Sequence, residues 1–390
     1  MRADRPEAPL RKLMGPGPLD VHPRIYSALT SPVIGHLDPA YLKVLDRIGA
    51  LLRPVFGTQN RVTHATPGTG TSGMEACVAN LMEPGDRVLV CVHGYFGDRI
   101  RQMAQRQEAE VTLVETEWGR PTDATRVAEA LKDGGYKVLT LVHAETSTGV
   151  LQPMDEIAEL AKAHGTMILL DTVTSLGGIE VNVDEWGVDA GYSCSQKCIG
   201  APSGLAPVTF SDRAVDVAAN RKHPVRSWYL DISLLDQYWG PERVYHHTSS
   251  STLNYALLEA LLLMEEEGLQ NRLARHLKNH EALVAGVEAM GLEMLVAPEH
   301  RLPTLNTVRI PEGVDDARVR GYLLETFGLE IGGGLGALKG QVWRVGLMGY
   351  SSSAENVLFF LSAMSRALAD QGQVMDVEAG LEAAMLVLNA

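Results

Sequence analysis

The chain has 390 residues, 45% apolar and 21% charged, the profile of an ordinary globular protein with room for two domains. Its formal net charge of −14 weighs against nucleic acid and anionic membranes as partners, because both require clustered Lys and Arg. An anionic ligand must therefore be captured by a local basic or dipolar site.

Residues 1–14 read as an irregular N-terminal arm without the apolar run of a signal peptide, and Gly15-Pro-Gly-Pro18 reads as a rigid turn. From about residue 70 the pattern alternates between helix and strand. Helices are predicted over 71–81, 98–107, 123–132 and 154–164. Strands are predicted over 87–92, 109–114, 137–143 and 166–171. Continuous apolar strands separated by helices of about ten residues specify a parallel sheet covered on both faces, an α/β domain. Ligands of such sheets bind beyond the carboxyl ends of the strands.

Residues 254–267 form an amphipathic helix, with Leu257, Leu258, Leu261 and Leu262 on one side, that leads out of a large domain spanning 15–268. Residues 269–390 read as a smaller α+β domain with a long helix, short strands near 305–310 and 342–347, and helices between. The stretch 256–264 is too short to span a bilayer and is broken by Glu259. The tail 374–390 is compatible with a packed helix or a frayed end. Cys77, Cys91, Cys194 and Cys198 show no CxxC spacing, and no His or acidic cluster has metal-ligand spacing. Neither disulfides nor a metal is expected, and a cytoplasmic location suits the thiols.

Three segments carry chemistry. Asp171 ends an apolar strand, where a carboxylate is costly unless a positive group meets it; a helix cap or local salt bridge would also place it there. Lys197, in Tyr192-Ser-Cys-Ser-Gln-Lys197-Cys-Ile-Gly200, lies among small residues that let a flat ligand approach. A partly dry lysine becomes a usable nucleophile, although a surface loop lysine would look the same. Pro67-Gly-Thr-Gly-Thr-Ser-Gly73 runs into a helix as an anion cradle of free amides, or simply as a glycine-rich cap. It is not a P-loop, because no Gly-Lys-Ser/Thr follows. Together the three supply a phosphate site, a partner for a pyridinium nitrogen and a Schiff-base amine, the needs of pyridoxal phosphate.

With these residues in place, the chain resembles the class V aminotransferases of the fold-type I pyridoxal-phosphate enzymes, and within them the alanine–glyoxylate and serine–pyruvate aminotransferases. The likeness runs from Leu13-Met-Gly-Pro-Gly-Pro18 to Trp343-Arg-Val-Gly-Leu-Met-Gly349. It is most specific in His143-Ala-Glu-Thr-Ser-Thr-Gly-Val-Leu-Gln-Pro153, in 171–178, in Ser195-Gln-Lys197 and in Tyr245-His-His-Thr248. The resemblance implies a large domain with a mainly parallel sheet of the seven-stranded type, sandwiched by helices, plus a smaller C-terminal α+β domain. It also implies a homodimer with shared active sites.

Carried over by position, Lys197 would hold the cofactor as a Schiff base and later move the proton, and Asp171 would pair with the pyridine nitrogen. Gly70, Thr71 and Ser72, helped by Gln196, would bind the phosphate. Thr146 would lie near the ring, and Tyr245 and Thr248 would reach the phosphate of the neighbouring subunit. Arg344 would clamp the substrate carboxylate. Relatives often stack tryptophan or histidine on the ring; here Phe96 takes that place, with Tyr95 as its alternative.

The implied reaction is transamination from alanine or serine to a 2-oxo acid, glyoxylate above all. Aspartate and ureidoglycine are the alternative donors, and His36 is a candidate pocket residue. A cysteine desulfurase would need a late nucleophilic cysteine, and none follows Cys198. A non-catalytic relative would have no reason to keep the lysine, aspartate and arginine together. Gly332-Gly-Gly-Leu-Gly336 reads as a flexible active-site or domain-joining loop rather than a nucleotide loop, and His246 and His247 need ligate nothing.

Overall fold

The computed structural model describes residues 8–390, so the first half of the predicted arm, 1–7, lies outside the described residues. Seven strands form one sheet in the order Val62–Pro67, Leu205–Phe210, Ala190–Tyr192, Met167–Asp171, Val138–Val142, Arg87–Val92, Glu110–Glu115. Leu205–Phe210 is antiparallel to both its neighbours, and every other pairing is parallel.

Side chains of a strand alternate between faces, and in the strands inside the sheet both faces are buried. Leu89, Cys91, Leu139, Leu141, Ile168 and Leu170 enter one core, while Val88, Val138, Val142, Met167 and Leu169 enter the other. That is why these strands read as unbroken apolar runs.

The helices begin and end where their sequence says they should. Pro39–Phe56 opens with proline in its first turn, is capped by the Asp38 side chain on the Ala40 amide, and stops at the left-handed Gly57. Asp123 caps Ala124–Leu131 in the same way.

A second core is built on a three-stranded antiparallel sheet, Leu305–Arg309, Val342–Gly346 and Gly332–Gly333, with Val342–Gly346 in the centre. Helices Leu269–Ala289, Ala354–Ala369 and Val377–Asn389 pack on it and on one another. The tail left open by the sequence is thus the helix Val377–Asn389, lying against Leu269–Ala289.

The N-terminal arm is corrected in its last residues. Lys12–Leu13 is a strand, paired in parallel with Leu329–Glu330, and Met14 is fully buried in the second core. Its charged and proline-rich context hides that pairing, which depends on a partner more than 300 residues away.

Candidate active site

Asp171 is buried at the carboxyl end of Met167–Asp171, where Tyr192, its register neighbour on Ala190–Tyr192, donates its hydroxyl to Oδ2 at 2.6 Å. The Val173 amide donates to Oδ1 at 2.8 Å. Burial pushes this carboxyl up to about 7, against the pull of the Tyr192 and Val173 donors. A cation would stabilise its charged form, and none forms a salt bridge with it among the described residues.

Lys197 lies in the turn between Ala190–Tyr192 and Leu205–Phe210 and is 8% exposed. Burial lowers its pKa, and the Arg344 charge adds to that effect while Asp171 opposes it. Its Nζ donates to the carbonyl of Pro16, in the turn that follows the N-terminal strand. A lysine so placed gives up its proton more readily than an exposed one.

The helix Gly70–Leu81 begins against both of these segments. Thr69, at its cap position, gives no side-chain hydrogen bond, so the helix start has no side-chain cap of its own. Gly70 must be small there: a Cβ would lie 3.1 Å from Cys194 Cβ and 3.2 Å from Val173 Cγ2. The Thr71 hydroxyl accepts from Arg99 Nη1 at 3.2 Å, and the Arg99 guanidinium lies 4.9 Å from the centre of the Phe96 ring. Ser72 is held on the Thr69 carbonyl through its amide at 2.8 Å and its hydroxyl at 2.7 Å. Gln196 Oε1 is buried without a hydrogen-bond partner.

Arg344 comes from the second core. Trp343 and Val345 turn inward with Leu347, so alternation turns Arg344 the other way, as its sequence pattern requires. It is 6% exposed, donating from Nε to the Gly333 carbonyl at 2.8 Å and from Nη1 to the Thr146 carbonyl at 3.1 Å. Nη2 has no acceptor among the described residues. Burial lowers its pKa to about 10, offset by the Glu145 charge. Thr146 is buried, its hydroxyl bonded to that of Thr174.

The structure therefore brings together Lys197, Asp171, the Gly70-Thr71-Ser72 turn, Thr146, Gln196, Phe96 and Arg344. Tyr245 and Thr248 stand apart. Both are exposed between helices Ile232–Trp239 and Ser251–Glu267, with the Tyr245 ring 5.0 Å from that of His36. The Gly332–Gly336 segment is half strand, and through the Gly333 carbonyl it braces Arg344.

The sequence reading missed Tyr192, Arg99, Glu145 and Pro16 as parts of the site. Tyr192 and Glu145 stood inside quoted motifs, but a tyrosine in a buried strand and a glutamate before a turn carry no signal without their neighbours.

These residues fit pyridoxal phosphate. A dry lysine, an aspartate that lacks a cation, an orphaned buried amide oxygen and an uncapped helix start form the donor set that such a cofactor satisfies.

Comparison with known proteins agrees. Residues 40–357 match the family model described as aminotransferase class-V. An alanine–glyoxylate aminotransferase of Drosophila melanogaster is 41% identical, over 92% of this chain and 93% of its own length. Among solved structures, the alanine–glyoxylate aminotransferase of a Nostoc species superposes with a TM-score of 0.93 at 48% identity, covering 94% of this chain and 98% of that one. The ureidoglycine–glyoxylate aminotransferase of Bacillus subtilis superposes with a TM-score of 0.96 at 39% identity, over 98% and 99%. A family match over most of the length, on a fold that carries the buried lysine and aspartate, decides the family: the chain belongs to the class V aminotransferases.

Proposed function

We propose that the chain transfers an amino group from alanine or serine to a 2-oxo acid, with glyoxylate as the acceptor. The observation that carries this reading is that a desolvated lysine, a strand-end aspartate and an arginine with a spare donor edge are buried close enough for the lysine to sense both other charges. The relatives named for alanine and glyoxylate support the choice of substrates.

Pyridoxal phosphate, when bound, supplies the electron sink that makes the substrate Cα–H acidic. Asp171 holds a proton on the ring nitrogen, which its buried carboxylate favours electrostatically. Lys197 would hold the cofactor and would be the group that takes up the substrate Cα proton, a task suited to an amine of depressed pKa. Arg344 presents its free edge to the substrate carboxylate, with Gly333 and Thr146 fixing the plane of the guanidinium. The Gly70-Thr71-Ser72 turn and Gln196 would hold the phosphate, and Phe96 and Thr146 would contact the ring. Tyr245 and Thr248, exposed on their own chain, complete the phosphate site of a second copy. The working form is thus a homodimer. Four free cysteines suit a cytoplasmic setting.

A second reading changes only the donor. The relative from Bacillus subtilis named for ureidoglycine and glyoxylate supports ureidoglycine as the alternative donor, beside aspartate.

Steady-state rates for a panel of amino donors against glyoxylate and pyruvate test both. Alanine or serine with glyoxylate is expected to give the highest kcat/KM, and Lys197→Ala is expected to abolish turnover while the fold survives. Near wild-type turnover by Lys197→Ala would end the assignment of that lysine. Preference for ureidoglycine or aspartate would replace the main reading with the second.

A further inference from the structure

One buried carboxylate in the pocket has no part in the transfer. Glu145 is fully buried at the end of the short strand Ala144–Glu145, where burial pushes its carboxyl up and no cation pairs with it among the described residues. Such a group is costly unless donors surround it, and here four do. Oε1 accepts from the Ser147 amide at 3.0 Å and the Ser147 hydroxyl at 2.6 Å. Oε2 accepts from the amides of Phe96 at 3.2 Å and Gly97 at 3.4 Å. The Ser147 oxygen in turn accepts from the Tyr95 amide at 2.9 Å.

The first three amides of the helix Tyr95–Arg106 are therefore capped from a different segment, the turn 145–147. The helix has no side chain of its own for this, because its cap position is Gly94. A Cβ at Gly94 would fall on the Glu145 carboxyl group and 2.6 Å from the Ser147 hydroxyl. The absence of a local cap and the presence of a remote one are one arrangement. A carboxylate at a helix N-terminus also gains from the helix dipole.

The same turn reaches the opposite wall of the pocket. The Thr146 carbonyl accepts from Arg344 Nη1 at 3.1 Å, and the Thr146 hydroxyl meets Thr174, three residues past Asp171.

We propose that Glu145 is the positioning residue of this pocket: by capping the Phe96 helix from the turn 145–147, it sets Phe96 against the cofactor and the Thr146 carbonyl against Arg344. The proposal rests on the transaminase reading above and goes beyond it, since Glu145 touches neither reactant. If it were only a structural cap, its loss would lower stability and leave the pocket's affinities alone.

The test is a double-mutant cycle on the full-length protein with pyridoxal phosphate as the probe. The wild type is first shown to bind the cofactor and to turn over. Failure there overturns the functional reading and this proposal with it. Glu145→Ala leaves the amides of Phe96, Gly97 and Ser147 without their acceptor. It is expected to weaken cofactor binding about ten- to hundredfold and to raise KM for the amino donor more than it lowers kcat. Glu145→Gln keeps an oxygen for the Phe96 and Gly97 amides and is expected to bind cofactor within about threefold of wild type. Because Glu145 acts through Phe96, Glu145→Ala combined with Phe96→Ala should lose less cofactor affinity than the two single losses together.

Additive losses overturn the proposal. So does a lower melting temperature of the cofactor-free protein with cofactor affinity and KM unchanged. Should Glu145→Ala fail to fold, Ser147→Ala carries the test. It removes the Tyr95 cap and one carboxylate donor, and should weaken the cofactor about three- to tenfold; unchanged affinity there overturns the proposal in its turn.

Discussion

At the scale of single residues, Asp171 has an energetic signature that can be measured without any substrate. Its carboxyl titrates near 7 in the fold and at the ordinary aspartate value of 3.8 in an unfolded chain. Between those values the folded state binds more protons than the unfolded one. Stability from this group is therefore present at low pH and falls as pH rises toward 7. A cationic ring nitrogen beside the carboxylate removes that cost. The gain in melting temperature on adding pyridoxal phosphate should thus be larger at about pH 8 than at about pH 6. Asp171→Asn should flatten the difference and loosen the cofactor. Thermal melts with and without cofactor at the two pH values check this, and an equal gain at both would remove Asp171 from the ring nitrogen.

Arg344 gives a complementary case. Arg344→Lys keeps the charge and loses the fork, so kcat/KM for the amino donor should fall about ten- to hundredfold, mostly through KM. A structural ion pair is already disfavoured, since its bonds run to the carbonyls of Gly333 and Thr146. Normal kinetics with a lowered melting temperature would nevertheless restore that reading.

Legibility follows the same physics. The positions of Asp171 and Arg344 can be read from the sequence because strand ends and strand alternation are local properties, whereas Lys197, in a turn, stands out only in the company of the other motifs. Tyr192 and Glu145 are not, because one gains its role from register with Asp171 and the other from a helix start about fifty residues earlier.

At the scale of elements, the strands that the pattern predicts are those with unbroken apolar runs. Three others complete the sheet and escape it for identifiable reasons. Val62–Pro67 spells Val-Thr-His-Ala-Thr-Pro, buried throughout most of its length yet half polar in letters. Ala190–Tyr192 is three residues long. Leu205–Phe210 carries Pro207 in its interior, which normally argues against a central strand. The Pro207 carbonyl still takes part in the sheet, accepting from the Ser193 amide at 2.8 Å.

The helix Val377–Asn389 was ambiguous for a different reason: its apolar side is intelligible only against Leu269–Ala289. Gly286 and Gly380 let those two backbones approach closely, and Ala384 is fully buried between neighbours. Deleting residues 374–390 uncovers that face of the second core. The melting temperature is expected to fall by about 5 °C or more. An unchanged melt would mean that the tail is dispensable packing.

At the scale of the whole molecule, the exposed pair Tyr245 and Thr248 makes a prediction about copies rather than about one chain. If each copy lends these residues to its neighbour, Lys197→Ala and Tyr245→Ala proteins are each defective, but a mixed dimer contains one site with both native residues. Unfolding and refolding the two together should restore about a quarter of wild-type activity. Mixtures no more active than their components, or an active monomer in sedimentation, would show that a site draws on one chain only.

The pairing of Lys12–Leu13 with Leu329–Glu330 has a bearing on how the protein is made. A ribosome releases Asp171 and Lys197 long before it reaches the strand that seats the chain's own beginning. The large sheet can assemble from what has emerged, but Met14 has no core to enter until residues near 330 appear. Until then the Pro16 carbonyl is not held over Lys197, and Arg344 has not been made. A half-synthesised chain can therefore own the lysine and the aspartate without owning a closed pocket. The seam between the chain's beginning and its last third delays a reactive amine's enclosure until synthesis is nearly complete.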